Sequence, residues 1–490
     1  MVDNDIIMDI EMVTKRAISG VVTFTLRTFF IQIFSLIATF ILTVLLDPSA
    51  FGIFFVVSAI LNLFVYFSDI GLAAALIQKK EEPSNTDLAT TFTIQQIIIA
   101  TLVTVGLLFS SQIGSFYNLD DKGIFLLRVL IFSLILSSLK TIPSILLERK
   151  LRFGRLVVPQ IFENIVFYSV AIVLAYLHFG VASFAWAVLA RGATGLALIY
   201  ILSPWMPRVG FNKIIAKKLS TFGVPFQINS VLALLKDDLL IVFLGKYLPF
   251  SHLGYIGWSQ KWAFLPLRFF MDNVNRVTFP AYSRLQHEQE KLGHAIEKSL
   301  FFVTYFVYPS VFGMAAIAPK LMEVIPNYTK WQPALPLLYL FAINSVFSAV
   351  STTFTNTLFA LGRPKIVLYF MVFWTSATWV LTFPLVIRFG YIGVGIASAL
   401  VSVSSIATVY FVKKQIRLKI AKSVIGPLLI SILMFLSIKT LQTIFSQTLS
   451  DLILTIIIGG LIYLCASFAI FRKRLIEDAM IIINSMIFKK

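Results

Sequence analysis

The chain has 490 residues, of which 58% are hydrophobic and 47 are phenylalanine, and its mean hydropathy is +0.89. That balance excludes a soluble globular domain and requires a polytopic membrane protein. In such a chain a net charge of +18 reflects topology and contact with anionic lipid, and is weak evidence for nucleic acid.

Residues 1–17 carry Asp3, Asp5, Asp9 and Glu11 where a cleaved leader would carry basic residues, and are read as a cytoplasmic N-terminal segment. Apolar runs of about 20 residues, the length that crosses a bilayer as a helix, then recur along the chain. The first six are 18–46, 51–77, 88–110, 123–147, 156–177 and 181–203, forming a bundle over 18–203. A basic linker, 204–221, leads to a second bundle over 222–412, with runs at 222–244, 253–272, 299–318, 335–361, 366–387 and 392–412. Two further helices, 424–445 and 452–471, bring the total to fourteen, and 472–490 reads as an amphipathic interfacial tail. The fold class is therefore an all-α integral membrane protein. Loops on the side of the N-terminus hold 28 of the 41 basic residues and the opposite loops 6, which places both termini in the cytoplasm.

Several chemistries find no support. There is no phosphate-binding G-x-x-x-x-G-K-[ST] loop to power transport, no loop long enough for a catalytic domain, and no external pair of carboxylates for glycosyl chemistry. The expectation is a protein that is not an enzyme and holds no cofactor or metal. His287 and His294, with Glu288 and Glu290, suit a solvated loop helix better than a metal site. Cys465 is the only cysteine.

The two bundles repeat one plan. Pro48 in "LLDPSAFGIF" pairs with Pro249 in "KYLPFSHLGYIG", Gly52 with Gly254, and Asp69 in "FSDIG" with Asp272 in "FMDNV". Three ordered matches near a constant offset indicate parallel six-helix halves. These stretches, with "VTKRAISG", "FSDIGLAAALIQKKE", "IPSILLERKLRFGRL", "NSVLALLKDDLLIVFLG", "RVTFPAYSRLQ", "YTKWQPALPLLYL" and "LFALGRPK", resemble the Wzx-type oligosaccharide flippases of the multidrug/oligosaccharidyl-lipid/polysaccharide exporter superfamily. The resemblance covers most of the chain, from Val13 to about Ser402; the last two helices fit by count alone. It implies two pseudo-symmetric bundles around a central cavity, and the movement of undecaprenyl-diphosphate-linked oligosaccharide from the inner to the outer leaflet. Lys236, Asp238 and Gly245 match the family's seventh-helix motif, and Asp237 is an addition to it.

Seven basic residues fall inside the spans: Arg27, Arg128, Lys140, Arg191, Lys236, Lys261 and Arg268. Each would cost about 2.5–3.5 kcal/mol at the centre of a lipid-facing helix, so each must face protein or water. Arg27, Lys236, Lys261 and Arg268 lie on helices that line the cavity in the resembling family. Lys261 and Arg268, seven residues apart, share a helix face. Arginine forks and lysine point charges converging on one wet pocket suit a diphosphate. The competing structural reading pairs Lys236 with Asp237 or Asp238, and Arg268 with Asp272. Arg128, Lys140 and Arg191 are read as structural, with Glu163 as a partner. Asp69, Asp237 and Asp238 are the candidates for coupling to an ion or proton gradient.

Milder features complete the reading. Trp186, Trp205, Trp258, Trp262 and Trp331 suit the membrane interface better than sugar stacking. "GVGIASAL" suits close helix packing, and "ERKLRFGR" suits anionic lipid or topology. The partners are lipid-linked oligosaccharide, membrane lipids and other polysaccharide-assembly proteins, with no nucleic acid. A drug exporter of the same superfamily would need an acid-dominated lumen; a membrane glycosyltransferase or polymerase would need a large catalytic loop. The expected location is the inner membrane.

Overall fold

The computed structural model describes residues 27–68, 71–79, 81–228, 234, 238–445 and 448–487. Among these the elements are α-helices and one 3-10 turn. Twelve helical segments are long and apolar enough to cross a membrane, and they fall on twelve of the fourteen expected runs. Of the seventh run, 229–233 and 235–237 lie outside the described residues, with helix described on either side, Lys213–Ile228 and Asp238–Tyr247. The eighth lies within a 36-residue helix, Phe250–Leu285, whose Lys261 and Arg268 make it more polar than its neighbours. The chain is thus an all-α multi-pass membrane protein, compatible with about fourteen crossings. It divides into two compact units, Met1–Gly254 and Tyr255–Lys490.

In the first unit the helices are α1 (Arg27–Leu45), α2 (Pro48–Ser68), α3 (Leu72–Gln78), α4 (Asn85–Leu108), α5 (Ser110–Tyr117), α6 (Asp121–Leu139), α7 (Thr141–Arg149), α8 (Phe153–Tyr176), α9 (Ala182–Leu202), α10 (Lys213–Ile228) and α11 (Asp238–Tyr247). Local chemistry sets their starts. Pro48 opens α2, where its missing N–H costs nothing. Ser84 and Asp87 form a reciprocal capping box on α4, and the Asp120 carboxylate accepts from Gly123 N at the start of α6. Leu72, Leu76, Leu88, Phe92, Ile142, Ile145 and Leu219 close a buried core that ties α3, α4, α7 and α10 together. α11 packs on α2.

The paired glycines of the repeat meet within this unit. A Cβ on Gly52 would lie 1.7 Å from the Phe250 carbonyl oxygen, and one on Gly254 would lie 1.9 Å from that of Pro48. The starts of the two related helices therefore cross backbone to backbone, each through the other's glycine. Only glycine permits that approach.

In the second unit α12 (Phe250–Leu285) continues into α13 (Gln289–Val324), a 3-10 turn (Thr329–Ala334), α14 (Leu335–Ala360), α15 (Pro364–Phe389), α16 (Ile392–Ser404), α17 (Ala407–Lys413), α18 (Ile420–Ile444) and α19 (Leu449–Ile487). The long loop expected over 273–298 is not a loop. α12 and α13 run through it, leaving only 286–288 outside helix. At 1.5 Å per residue each 36-residue helix is about 54 Å long, well beyond a hydrocarbon core of about 30 Å. The projecting turns carry their own core: Tyr282, Leu292, Ile296 and Leu300 are buried with Phe354, Leu358, Val412 and Ile416. Charges on the outer faces had masked that stripe.

The two extra helices have a place as well as a count. α18 and α19 pack on α13, where Tyr463 Oη donates to Tyr305 O at 2.7 Å and the Arg474 guanidinium lies 3.9 Å from the Phe301 ring centroid. A break at Phe471 (φ −110°, ψ 15°) separates the membrane part of α19 from its tail. The small-residue stretch packs closely, as its spacing predicts: a Cβ on Gly393 would collide with the Leu385 backbone at 2.3 Å.

Candidate functional site

In the second unit the predicted cations stand on one flank of α12. Leu267, Phe270, Met271 and Val274 turn toward a core with Val303, Val307, Tyr308 and Ala342, while Ala263 and Pro266 are also buried. Lys261 and Arg268 are exposed and, two turns apart, share the opposite flank. The backbone thus aligns an ammonium and a guanidinium along one exposed stripe. The side chain of Asp272 lies outside the described ones, so the pairing with Arg268 has no geometry here.

In the first unit Arg27 is half-buried at the start of the described part of α1. Lys236, Asp69 and Asp237 lie outside the described residues. Asp238 is half-buried, and its Oδ1 accepts from Asn62 Nδ2 of α2 at 2.8 Å. A neutral amide holds the carboxylate in place without cancelling its charge. α11 is gripped at its other end: Tyr117 Oη donates to Val242 O at 3.1 Å, and Lys246 Nζ donates to Phe116 O at 2.8 Å above the Phe116 ring. Burial pushes the Tyr117 hydroxyl above its ordinary range, so it remains a donor.

The three cations read as structural are engaged as such. Lys140 Nζ lies 2.6 Å from Glu163 Oε1, and Arg191 Nε lies 3.8 Å from Glu163 Oε2. Glu163 is buried on α8, and Gly195 leaves the space it occupies: a Cβ there would stand 1.7 Å from Glu163 Oε1. Arg128 instead donates to Ser110 Oγ at 2.9 Å and Ser111 Oγ at 3.0 Å.

One important residue was missed. Arg149, counted only as a topological charge, donates through Nη1 to the carbonyls of Leu76, Ile77 and Lys79 and through Nη2 to that of Glu81. A guanidinium at a helix C-terminus satisfies carbonyls the helix leaves open. It locks the end of α3 to α7, and Lys79 continues the lock with a 2.6 Å bridge to Asp87. No sequence signal marked it, because its acceptors are backbone carbonyls of "ALIQKKE", which meets "LLERKLR" only in the fold.

The tryptophan reading needs correction. Trp331 is 0% and Trp258 7% exposed, with ring centroids 5.7 Å apart, and Trp258 Nε1 donates to Tyr328 Oη. These rings form a buried aromatic core in which the 3-10 turn, through Trp331 and the adjacent Tyr328, packs on Trp258 of α12. Trp205 packs on Phe92, and only Trp186 is strongly exposed.

This arrangement of helices is that of a known transporter fold. The chain aligns over 92% of its length, and 99% of the other chain, with a lipid II flippase MurJ in an inward closed conformation, with a TM-score of 0.74 at 16% identity. Residues 41–336 match a family profile described as "Polysaccharide biosynthesis protein", and the chain belongs to that family. Among curated relatives, the succinoglycan biosynthesis transport protein ExoT of Rhizobium meliloti (strain 1021) is 23% identical over 69% of this chain and 68% of its own. The lipopolysaccharide biosynthesis protein WzxC of Escherichia coli (strain K12) is 23% identical over 81% of each chain.

Proposed function

We propose that the protein is a flippase that moves lipid-linked oligosaccharide repeat units across the membrane for polysaccharide biosynthesis. The cargo in this reading is undecaprenyl-diphosphate-linked, carried from the cytoplasmic to the outer leaflet of the inner membrane by alternating access, with both termini cytoplasmic and no chemistry performed on it. The observation that carries the reading is the exposed stripe of Lys261 and Arg268 on α12, two charges that are costly in a bilayer-spanning chain and suited to an anionic headgroup. The MurJ-like fold and the names of the curated relatives support it. Arg27 and Lys236 complete the proposed diphosphate set, and Asp238, with Asp69 and Asp237, is proposed to couple transport to a gradient. The same basic stripe counts against a drug exporter with an acidic lumen. The test is reconstitution of the full chain into vesicles with labelled lipid-linked oligosaccharide. Transfer between leaflets should fall at least tenfold, the scale of one lost charge-assisted contact, in Lys261→Gln with Arg268→Gln. Undiminished transfer would remove the stripe from the substrate path, and no transfer by the unaltered protein under any gradient would overturn the flippase reading.

A further inference from the structure

The linker after α9 and the helix that follows it form a surface that the transport reading does not use. Residues 204–221 contain Arg208, Lys213, Lys217 and Lys218 and no acidic residue. α10 turns Ile215 and Leu219 into the core beside Leu72 and Leu76, which fixes the direction of its other face. On that face Lys213, Ile214, Lys217, Lys218 and Thr221 surround an open hollow of about 460 Å³. In the linker that leads into it Met206, Val209 and Phe211 are 81%, 87% and 63% exposed, and Ile214 on its rim is 80% exposed.

This surface is held in place. Gly210 N donates to Thr93 Oγ1 at 3.0 Å and Asn212 N to Thr90 Oγ1 at 3.2 Å, while Asn212 Oδ1 accepts from Ile214 N and Ile215 N at the start of α10. Thr90 and Thr93 belong to the first turns of α4, a helix long and apolar enough to cross a membrane, so the linker sits toward the end of a candidate span. Large apolar side chains so exposed, alternating with lysines and free of acids, are poorly suited to water and to protein of mixed charge. They suit the boundary between phosphates and acyl chains.

We propose that this face, Met206 to Thr221, is a docking site for anionic phospholipid. The lysine ammonium groups bind headgroup phosphates, and Met206, Val209, Phe211 and Ile214 enter the acyl boundary. This anchors the linker to the leaflet independently of whatever the protein transports. The test is amide exchange across 206–218 in the full-length protein, in nanodiscs of phosphatidylcholine alone and of phosphatidylcholine mixed with phosphatidylglycerol. Exchange should be slower in the mixed discs, with the advantage falling roughly fivefold for each of Lys213→Gln, Lys217→Gln and Lys218→Gln, and disappearing near 1 M salt, where the screening length is about 3 Å. Val209→Ser with Phe211→Ser should raise exchange in both discs. The amides of α4 and α6 serve as the folding control, and the comparison of lipids in the unaltered protein stands without any variant. Equal exchange in the two lipids would overturn the proposal. So would protection reproduced by inorganic phosphate in phosphatidylcholine discs, or protection seen only in native membranes, where a protein partner would account for it.

Discussion

In the first unit the helix that opens at Pro48 is described to Ser68, and a new helix begins at Leu72 after Gly71 at φ 73°. In the second, the helix that opens at Phe250 runs through Val274 to Leu285 without a break. The repeat register that pairs Asp69 with Asp272 pairs Gly71 with Val274. Glycine enters the left-handed region at little cost and valine does not, so one side chain accounts for a left-handed residue ahead of α3 on one side of the repeat and an uninterrupted helix on the other. The break ahead of α3 then needs support, and Arg149 supplies it by taking the carbonyls at the end of α3. The units also differ in their glue: the buried Glu163 held between half-buried Lys140 and exposed Arg191 in one, and the Trp258–Trp331–Tyr328 core in the other.

The contrast in glue is the easiest to break, and carries the largest effects. Glu163→Ala would leave half-buried Lys140 without its partner, at a cost of about 3 kcal/mol, the low end for breaking a buried pair, while Glu163→Gln keeps the shape and part of the hydrogen bonding and should cost less. Trp331→Ala should cost a similar ~3–5 kcal/mol through the cavity it leaves. Thermal unfolding of the detergent-purified protein should show both losses. Exchange mapping should place the first around α6, α8 and α9 and the second around α12 and α14. Loosening of both regions by either variant would show that the units do not hold themselves together separately.

Next in size is the support of the break. Arg149→Ala leaves the carbonyls at the end of α3 without their donor and should cost ~2–3 kcal/mol, the range of charge-assisted hydrogen bonds. Arg149→Lys should recover only part of that, since an ammonium cannot span four carbonyls as a planar fork does. If lysine restores full stability, charge alone is what matters there.

How much of this was legible in the sequence depends on the range of the interaction. Twelve spans, both paired glycines and the role of Glu163 could be read because bilayer length, helix periodicity and the cost of buried charge act locally or through composition. The extension of α12 and α13 was not, because the stripe of Leu292, Ile296 and Leu300 is short and flanked by Glu288, Glu290, Lys291 and Lys298. The clamp of Arg149 was not, because its acceptors are backbone atoms about seventy positions away in sequence, and backbone acceptors carry no residue signature. Trp331 looked interfacial because only the fold shows that the 3-10 turn carrying it packs its ring onto Trp258. Of the proposed site, the shared flank of Lys261 and Arg268 followed from their spacing alone.

The helix break itself offers a smaller test in both directions. Gly71→Val forces a β-branched residue to φ 73° and should cost about 1–2 kcal/mol. Val274→Gly should cost up to about 1 kcal/mol as a helix-interior glycine. Equal and negligible effects, measured by unfolding, would mean that the break is imposed by packing and not by Gly71.

The smallest effect lies at a place where the two units agree in geometry and differ in residue. After α7, Leu151 N bonds to Glu148 O and Arg152 N to Leu147 O; after α14, Gly362 N bonds to Phe359 O and Arg363 N to Leu358 O. The hydrogen bonds and spacing are the same, and the central residue is left-handed in each, at φ 51° for Leu151 and φ 69° for Gly362. Such a helix end prefers glycine, so the first unit carries strain that the second avoids. Nothing lies within 4 Å of a Cβ built on Gly362, so Gly362→Leu reports backbone strain alone and should cost ~1–2 kcal/mol. Leu151→Gly removes the same strain but also gives up a half-buried side chain and loosens the unfolded chain, leaving a gain of at most about 0.5–1 kcal/mol. A loss in Leu151→Gly as large as that in Gly362→Leu would show that packing of Leu151, beside the Arg149 clamp, outweighs the strain of its backbone.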